Sequence, residues 1–164
     1  MSGFGDKEVS HGVALYKLAE HEQFTSVNRF PIGGDEDPNA YQVNANRGLY
    51  LKRASKEAGP GYLFTFNSEH RNRLEKMTDL CGKVNLYIGL VCLEKGEICC
   101  ASYDEFLELK SDRMQSGMTN TDDLPLYVSR DPGESFRLKV QHQNRNEVIK
   151  QITISMNKYP KRLL

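Results

Sequence analysis

The chain predicts an α+β fold in one domain covering residues 1–164: a mixed or largely antiparallel sheet of six to eight strands, two main helices and one short helix. Three observations carry this. Period-two alternation of apolar and polar residues recurs in both halves of the chain. Two stretches with helical spacing begin at capping residues. A composition of 38% hydrophobic and 27% charged residues supports a buried core.

The first helix is expected from Ser10, as N-cap, to Gln23, because Val13, Leu15, Tyr16, Leu18 and Ala19 recur at helical spacing. Residues 24–30 read as extended, and residues 31–39 as a loop rich in proline, glycine and acid. Tyr41, Val43 and Ala45 alternate with Gln42, Asn44 and Asn46, as in a half-buried strand that turns at Asn46-Arg47-Gly48 and returns through residues 49–52. After a loop at residues 55–61, Tyr62, Phe64 and Phe66 mark a strand. Asn67 or Ser68 then caps a helix to about Leu80, with Leu74, Met77 and Cys81 buried.

Residues 84–93 are apolar on both sides, which predicts a central strand covered on both faces. A turn centred on Lys95-Gly96 would set Cys92 opposite Cys99 and Leu93 opposite Ile98. Ser102 and Glu105 form a capping box for a short helix through Phe106 and Leu109, followed by a polar loop at residues 111–124. Extended runs at residues 126–130, 135–141 and 148–156 complete a sheet with one solvated face, as Phe136, Leu138 and Val140 alternate with Arg137 and Lys139.

Several functional classes are disfavoured. No run approaches the roughly 20 apolar residues that cross a bilayer, and the first residues lack the pattern of a signal peptide, so a cytoplasmic setting without a membrane partner is expected. Cys81, Cys92, Cys99 and Cys100 then read as reduced thiols, and the absence of C-x-x-C spacing argues against a zinc site. Net charge is zero but arranged in blocks. Residues 1–46 hold 3 basic and 7 acidic groups, 47–76 hold 7 and 3, 77–129 hold 4 and 9, and 130–164 hold 8 and 3. Such blocks are compatible with one basic face.

The order helix, three strands, an added strand, helix, strand over residues 10–93, with Lys52 closing a strand, resembles the core of the PD-(D/E)xK nuclease superfamily. Residues 97–164 would then be a strand-rich completion. The resemblance implies an acid before one strand and Glu/Asp-x-Lys on the next, the acids holding Mg²⁺ and the lysine steadying the attacking water. Asp37 and Lys52 are the candidate catalytic residues on that reading, while Tyr50 stands where the second carboxylate belongs. Glu20 or Glu22 would be the substitute ligand. No other cofactor is expected.

Arg47, Lys52, Arg53, Lys56, Arg71 and Arg73 cluster in the sequence around the aromatic run Tyr62, Phe64 and Phe66. Cations beside aromatics suit phosphate contact and base stacking, although alternating aromatics also suit a core. Three functions follow: a nucleic-acid-associated protein on a nuclease-like scaffold without catalysis, a protein-interaction module or homo-oligomeric subunit, and a Mg²⁺-dependent nuclease.

Overall fold

The computed structural model describes residues 3–31 and 37–164. Helix α1 (Asp6–Ala19) leads into strands β1 (Val27–Arg29), β2 (Ala40–Val43) and β3 (Arg47–Ala54), which form an antiparallel meander. The short β4 (Glu57–Ala58) and β5 (Gly61–Phe66) leave for a second sheet. Helix α2 (Ser68–Cys81) brings the chain back to β6 (Leu86–Cys92), which lies parallel to β3 from Gly48↔Leu86 to Ala54↔Cys92. Strand β7 (Glu97–Ser102) pairs antiparallel with β6, and α3 (Tyr103–Gln115) leads to β8 (Leu124–Ser129), β9 (Phe136–Gln141) and β10 (Val148–Ile154). Among the described residues no helix is long and apolar enough to cross a membrane.

The strands form two five-stranded sheets, ordered β1-β2-β3-β6-β7 and β10-β9-β8-β5-β4. The expected single sheet of six to eight strands is therefore corrected to ten strands in two sheets among the described residues. Alternation in β5 identifies Tyr62, Phe64 and Phe66 as buried, but it does not say that β5 pairs with β8 (Phe64↔Leu126) and not with its chain neighbours in the first sheet. Tyr50, Ile88, Leu90 and Cys99 of the first sheet share a buried cluster with Phe64, Phe66, Leu126 and Leu138 of the second, completed by Leu74 and Met77 of α2 and Phe106 and Leu109 of α3. On the opposite face of the first sheet, Leu49, Leu51 and Val91 pack with Ala14 and Leu18 of α1 and Tyr159 and Leu163 near the C-terminus. Gly89 in β6 keeps that packing close, since a Cβ there would lie 2.8 Å from Leu51 Cδ2.

Helix boundaries also differ from expectation. Helix α1 starts at Asp6, so Ser10 lies inside it, buried, with its hydroxyl donating to the Lys7 carbonyl at 3.0 Å. A Ser hydroxyl bonded back along its own helix is an alternative to capping, and local sequence does not separate the two. Helix α3 is not short: it runs 13 residues because Arg113, read as part of a loop, is buried and donates to the Gln141 carbonyl and the Gln143 side chain. The capping boxes at Asn67/His70 and Ser102/Glu105 are both formed. The β6–β7 register is two residues from the expected one, pairing Cys92 with Glu97 and Leu90 with Cys99, so Cys92 and Cys99 share a face without standing opposite one another. Residues 32–36 of the expected acidic loop lie outside the described residues.

Candidate nucleic-acid interface

Strand β3 projects Tyr50 and Lys52 toward α2 and Leu49, Leu51 and Arg53 toward α1. Asp37 precedes β2, which pairs with β3 through Ala40↔Tyr50, so Asp37, Tyr50 and Lys52 are gathered at one end of the first sheet. Asp37 is only 1% exposed. Its Oδ1 accepts the Asn39 N–H at 2.9 Å, and its Oδ2 faces Arg73 Nη1 at 3.1 Å. Arg73 is one turn along α2 from Glu69 and binds it with its other nitrogen at 2.7 Å. One guanidinium thus spans two carboxylates, one deeply buried.

The Tyr50 hydroxyl is fully buried and makes no hydrogen bond of normal geometry. The Asp37 carboxylate and Asn39 amide are its polar neighbours, and burial pushes its phenol well above the usual range. A neutral phenol cannot act as the second anionic ligand a divalent ion would need.

Lys52 is held mainly by its surroundings. Its ammonium donates to the Thr65 carbonyl at 2.8 Å, lies 5.2 Å from the Phe66 ring centroid and sits 3.4 Å from His70 Nδ1. The same Nδ1 accepts the Asn67 N–H at 3.3 Å as half of the α2 capping box, which places the neutral ring's proton on Nε2. Burial, with the Arg53 charge second, lowers the Lys52 pKa, opposed by Asp37. Burial and then the Lys52 charge lower that of His70.

The described residues do not fit a seat for Mg²⁺. Asp37 is engaged by Arg73, Tyr50 occupies the place of the second acid, and no group of three His, Cys, Asp or Glu side chains converges among the described residues. Glu20 caps the far end of α1, whereas the helix end nearest the end of β3 is the first turn, where Asp6 Oδ2 accepts the Ser55 hydroxyl at 2.6 Å. Glu22 follows Glu20 beyond that far end. The cysteines offer no activated thiolate: burial raises Cys92 and Cys100 to about 12, and Cys99 well above its ordinary value.

The six predicted cationic contacts are dispersed by the fold. Arg47 is at the opposite end of β3, donating to Asn85 Oδ1 at 2.5 Å. Arg71 is 5% exposed and donates to the carbonyls of Phe66 and Asn120 at 2.6 and 2.9 Å. Arg73 is committed to Asp37 and Glu69. Lys56 lines a separate depression with Glu57, Tyr62, Glu94 and Lys95. Lys52 and Arg53 remain together at the lip of a cleft of about 390 Å³, lined also by Asp6, Asn39, Leu51 and Ser55.

On the α1 side of β3, Arg53 shares the electrostatic surroundings of His11 with two cations from the acidic N-terminal block, Lys7 and Arg29. His11, buried on α1, lies 2.7 Å through Nδ1 from the Tyr41 hydroxyl, and its pKa is lowered by burial and then by the charges of Lys7, Arg53 and Arg29. Arg29 reaches the cluster because β1 pairs with β2 through Arg29↔Tyr41. Among the described residues Lys7, Arg29 and Arg53 form no ion pair. No local pattern identifies Lys7 and Arg29, since pairing and helix docking alone bring them beside Arg53. No family model, curated protein or solved structure matches the chain.

Proposed function

We propose that this is a nucleic-acid-associated protein on a nuclease-like scaffold that holds a phosphate backbone at the end of β3 without cleaving it. The observation that carries the reading is the Asp37–Arg73 ion pair at 3.1 Å. It engages the residue that the resemblance would make the first acid, beside Tyr50 and within electrostatic reach of Lys52. A helix, an antiparallel three-strand meander and a helical return to a strand parallel to the third are consistent with the element order on which the resemblance rests. Phosphodiester hydrolysis by a bound divalent ion requires anionic ligands to share it, and here a guanidinium neutralises the buried acid. The cations Lys7, Arg29, Lys52 and Arg53 supply the attraction for phosphate.

The test is binding and cleavage measured together, using labelled single- and double-stranded DNA and RNA with Mg²⁺, Mn²⁺ or chelator. Salt-sensitive binding without cleavage supports the proposal. Metal-dependent cleavage abolished in Lys52→Ala replaces it with a nuclease. Neither binding nor cleavage turns the assignment to an interaction module, a reading favoured by the exposed apolar side of α1.

A further inference from the structure

We infer that the outward side of α1 is a self-association surface through which two copies of this chain pair as an antiparallel, two-fold dimer. Helix α1 buries Ser10, His11, Ala14 and Leu18. On the opposite side Val9, Val13 and Tyr16, at i, i+4 and i+7, are 42%, 40% and 65% exposed. A surface helix ordinarily presents polar residues there, because only its inward stripe has apolar surface to bury. Helix α1 is apolar on both sides.

Gly12 lies beside this stripe, and nothing comes within 4 Å of where its Cβ would be. The monomer therefore gives no packing reason for glycine, although glycine within a helix costs about 1 kcal/mol relative to alanine. A second helix approaching closely at Gly12 gives one. Interaxial distance is set by the side chains at the contact, and glycine allows the shortest approach.

The charges select a second copy as the occupant. Asp6 and Lys17 are eleven positions apart, about three helical turns, and so lie on the same flank of the stripe. A two-fold axis perpendicular to α1 sets the first turn of one copy against the last turn of the other. Val9 then lies level with Tyr16 of the second copy, and Gly12 with Val13. In that register Lys17 of each copy lies two residues, about 3 Å, along the axis from Asp6 of the other on their shared flank, an offset a lysine side chain spans, and symmetry makes the pair twice. The antiparallel helix ends also bring opposite dipole charges together. Zero net charge adds no overall repulsion between copies. Asp6 also lines the cleft of the nucleic-acid reading, but self-association is read in the absence of oligonucleotide, so the two proposals fail separately.

Sedimentation velocity over a concentration series tests it. The expected result is a weight-average mass that rises from monomer toward twice that value. Tyr16→Glu and Val9→Glu should each hold the protein at monomer mass with an unchanged circular-dichroism melt, because both side chains are exposed in the monomer. Lys17→Glu should weaken the dimer, and Lys17→Glu combined with Asp6→Lys should restore it, which nonspecific apolar adhesion would not do. Monomer mass at every concentration, or a dimer that survives Tyr16→Glu, overturns the inference.

Discussion

Arg73 on α2 reaches Asp37 ahead of β2, Nη1 to Oδ2 at 3.1 Å, and thereby ties the helix to the edge of the meander. The two ends of this pair are unequally exposed: the Asp37 side chain is at 1% and the Arg73 side chain at 28%. Removing the arginine strands a buried carboxylate, whereas removing the carboxylate leaves a guanidinium that still has Glu69 and partial access to water. Arg73→Met should therefore destabilise the fold by about 2 kcal/mol, below the usual cost of breaking a fully buried pair because one member is solvated. Asp37→Asn should cost less, and adding it to Arg73→Met should recover part of the loss. Chemical denaturation of the two single variants and the double variant gives the coupling energy, and additive effects would remove the pair from the account of stability.

Phosphate contact separates the cations into two groups. Arg53→Ala, Arg29→Ala and Lys7→Ala should each reduce oligonucleotide affinity and flatten its logarithmic salt dependence by about 0.7 for a single strand, one lost phosphate contact apiece. Arg47→Ala should leave the slope unchanged, because Arg47 binds Asn85 at the far end of β3. Arg71→Ala should lower the melting temperature instead, since the carbonyls of Phe66 and Asn120 lose their donor. Fluorescence anisotropy titrations at several salt concentrations would show the grouping, and equal slopes for Arg53→Ala and the unaltered protein would count against the interface.

Histidine ionisation sets an acid limit to stability. His11 and His70 both have lowered pKa values, each chiefly through burial and then through neighbouring cations. Between the ordinary value of 6.5 and the lowered folded value, the unfolded chain binds more protons than the native one. Stability from these groups is thus complete above the unfolded pKa and is lost as pH falls toward and through the folded one. Protonation of His70 at Nδ1 would also displace the Asn67 N–H and bring a second positive charge beside Lys52. Denaturation midpoints should decline as the pH is lowered from 7 through this range, and His70→Asn should decline less. An identical pH dependence in His70→Asn would place the effect elsewhere.

The parts of the fold legible in the sequence are those whose cause lies within a few residues. Asn67 and Ser102 identify their helix starts because side-chain caps act over three positions. Phe136, Leu138 and Val140 reveal their buried face because alternation is a property of one strand. Which strands pair is not local, so β5 was assignable to a strand but not to its sheet. The β6–β7 register escaped for a related reason: a two-residue shift keeps Cys92 and Cys99 on one face, and the apolar pattern cannot distinguish the alternatives. At the site, Asp37 and Lys52 were visible as residue types. The fates of Arg71 and Arg73 were not, because a helical arginine looks the same whether it meets water, a carbonyl or a buried carboxylate.

The four cysteines should divide sharply in their reaction with a thiol reagent. Cys92, Cys99 and Cys100 are buried in β6 and β7, while Cys81 is half-buried at the last position of α2. The thiolate is the nucleophile, and burial raises Cys92 and Cys100 to about 12, leaving only a trace ionised near neutrality. Burial raises Cys81 as well, but its side chain is only half-buried and keeps contact with solvent. The β6–β7 pair is covered by the inter-sheet cluster on one face, which includes Cys92 and Cys99, and by the α1 cluster on the other, which includes Cys100. Reagent can reach those three only after the strand pair opens, so their labelling rate should report the free energy of that opening. In native buffer, one equivalent should react quickly and three slowly. All four should react at once in denaturant, and Cys81→Ser should abolish the fast phase. A fast phase of more than one equivalent, or one that survives Cys81→Ser, would show that β6 and β7 are not held as the packing requires.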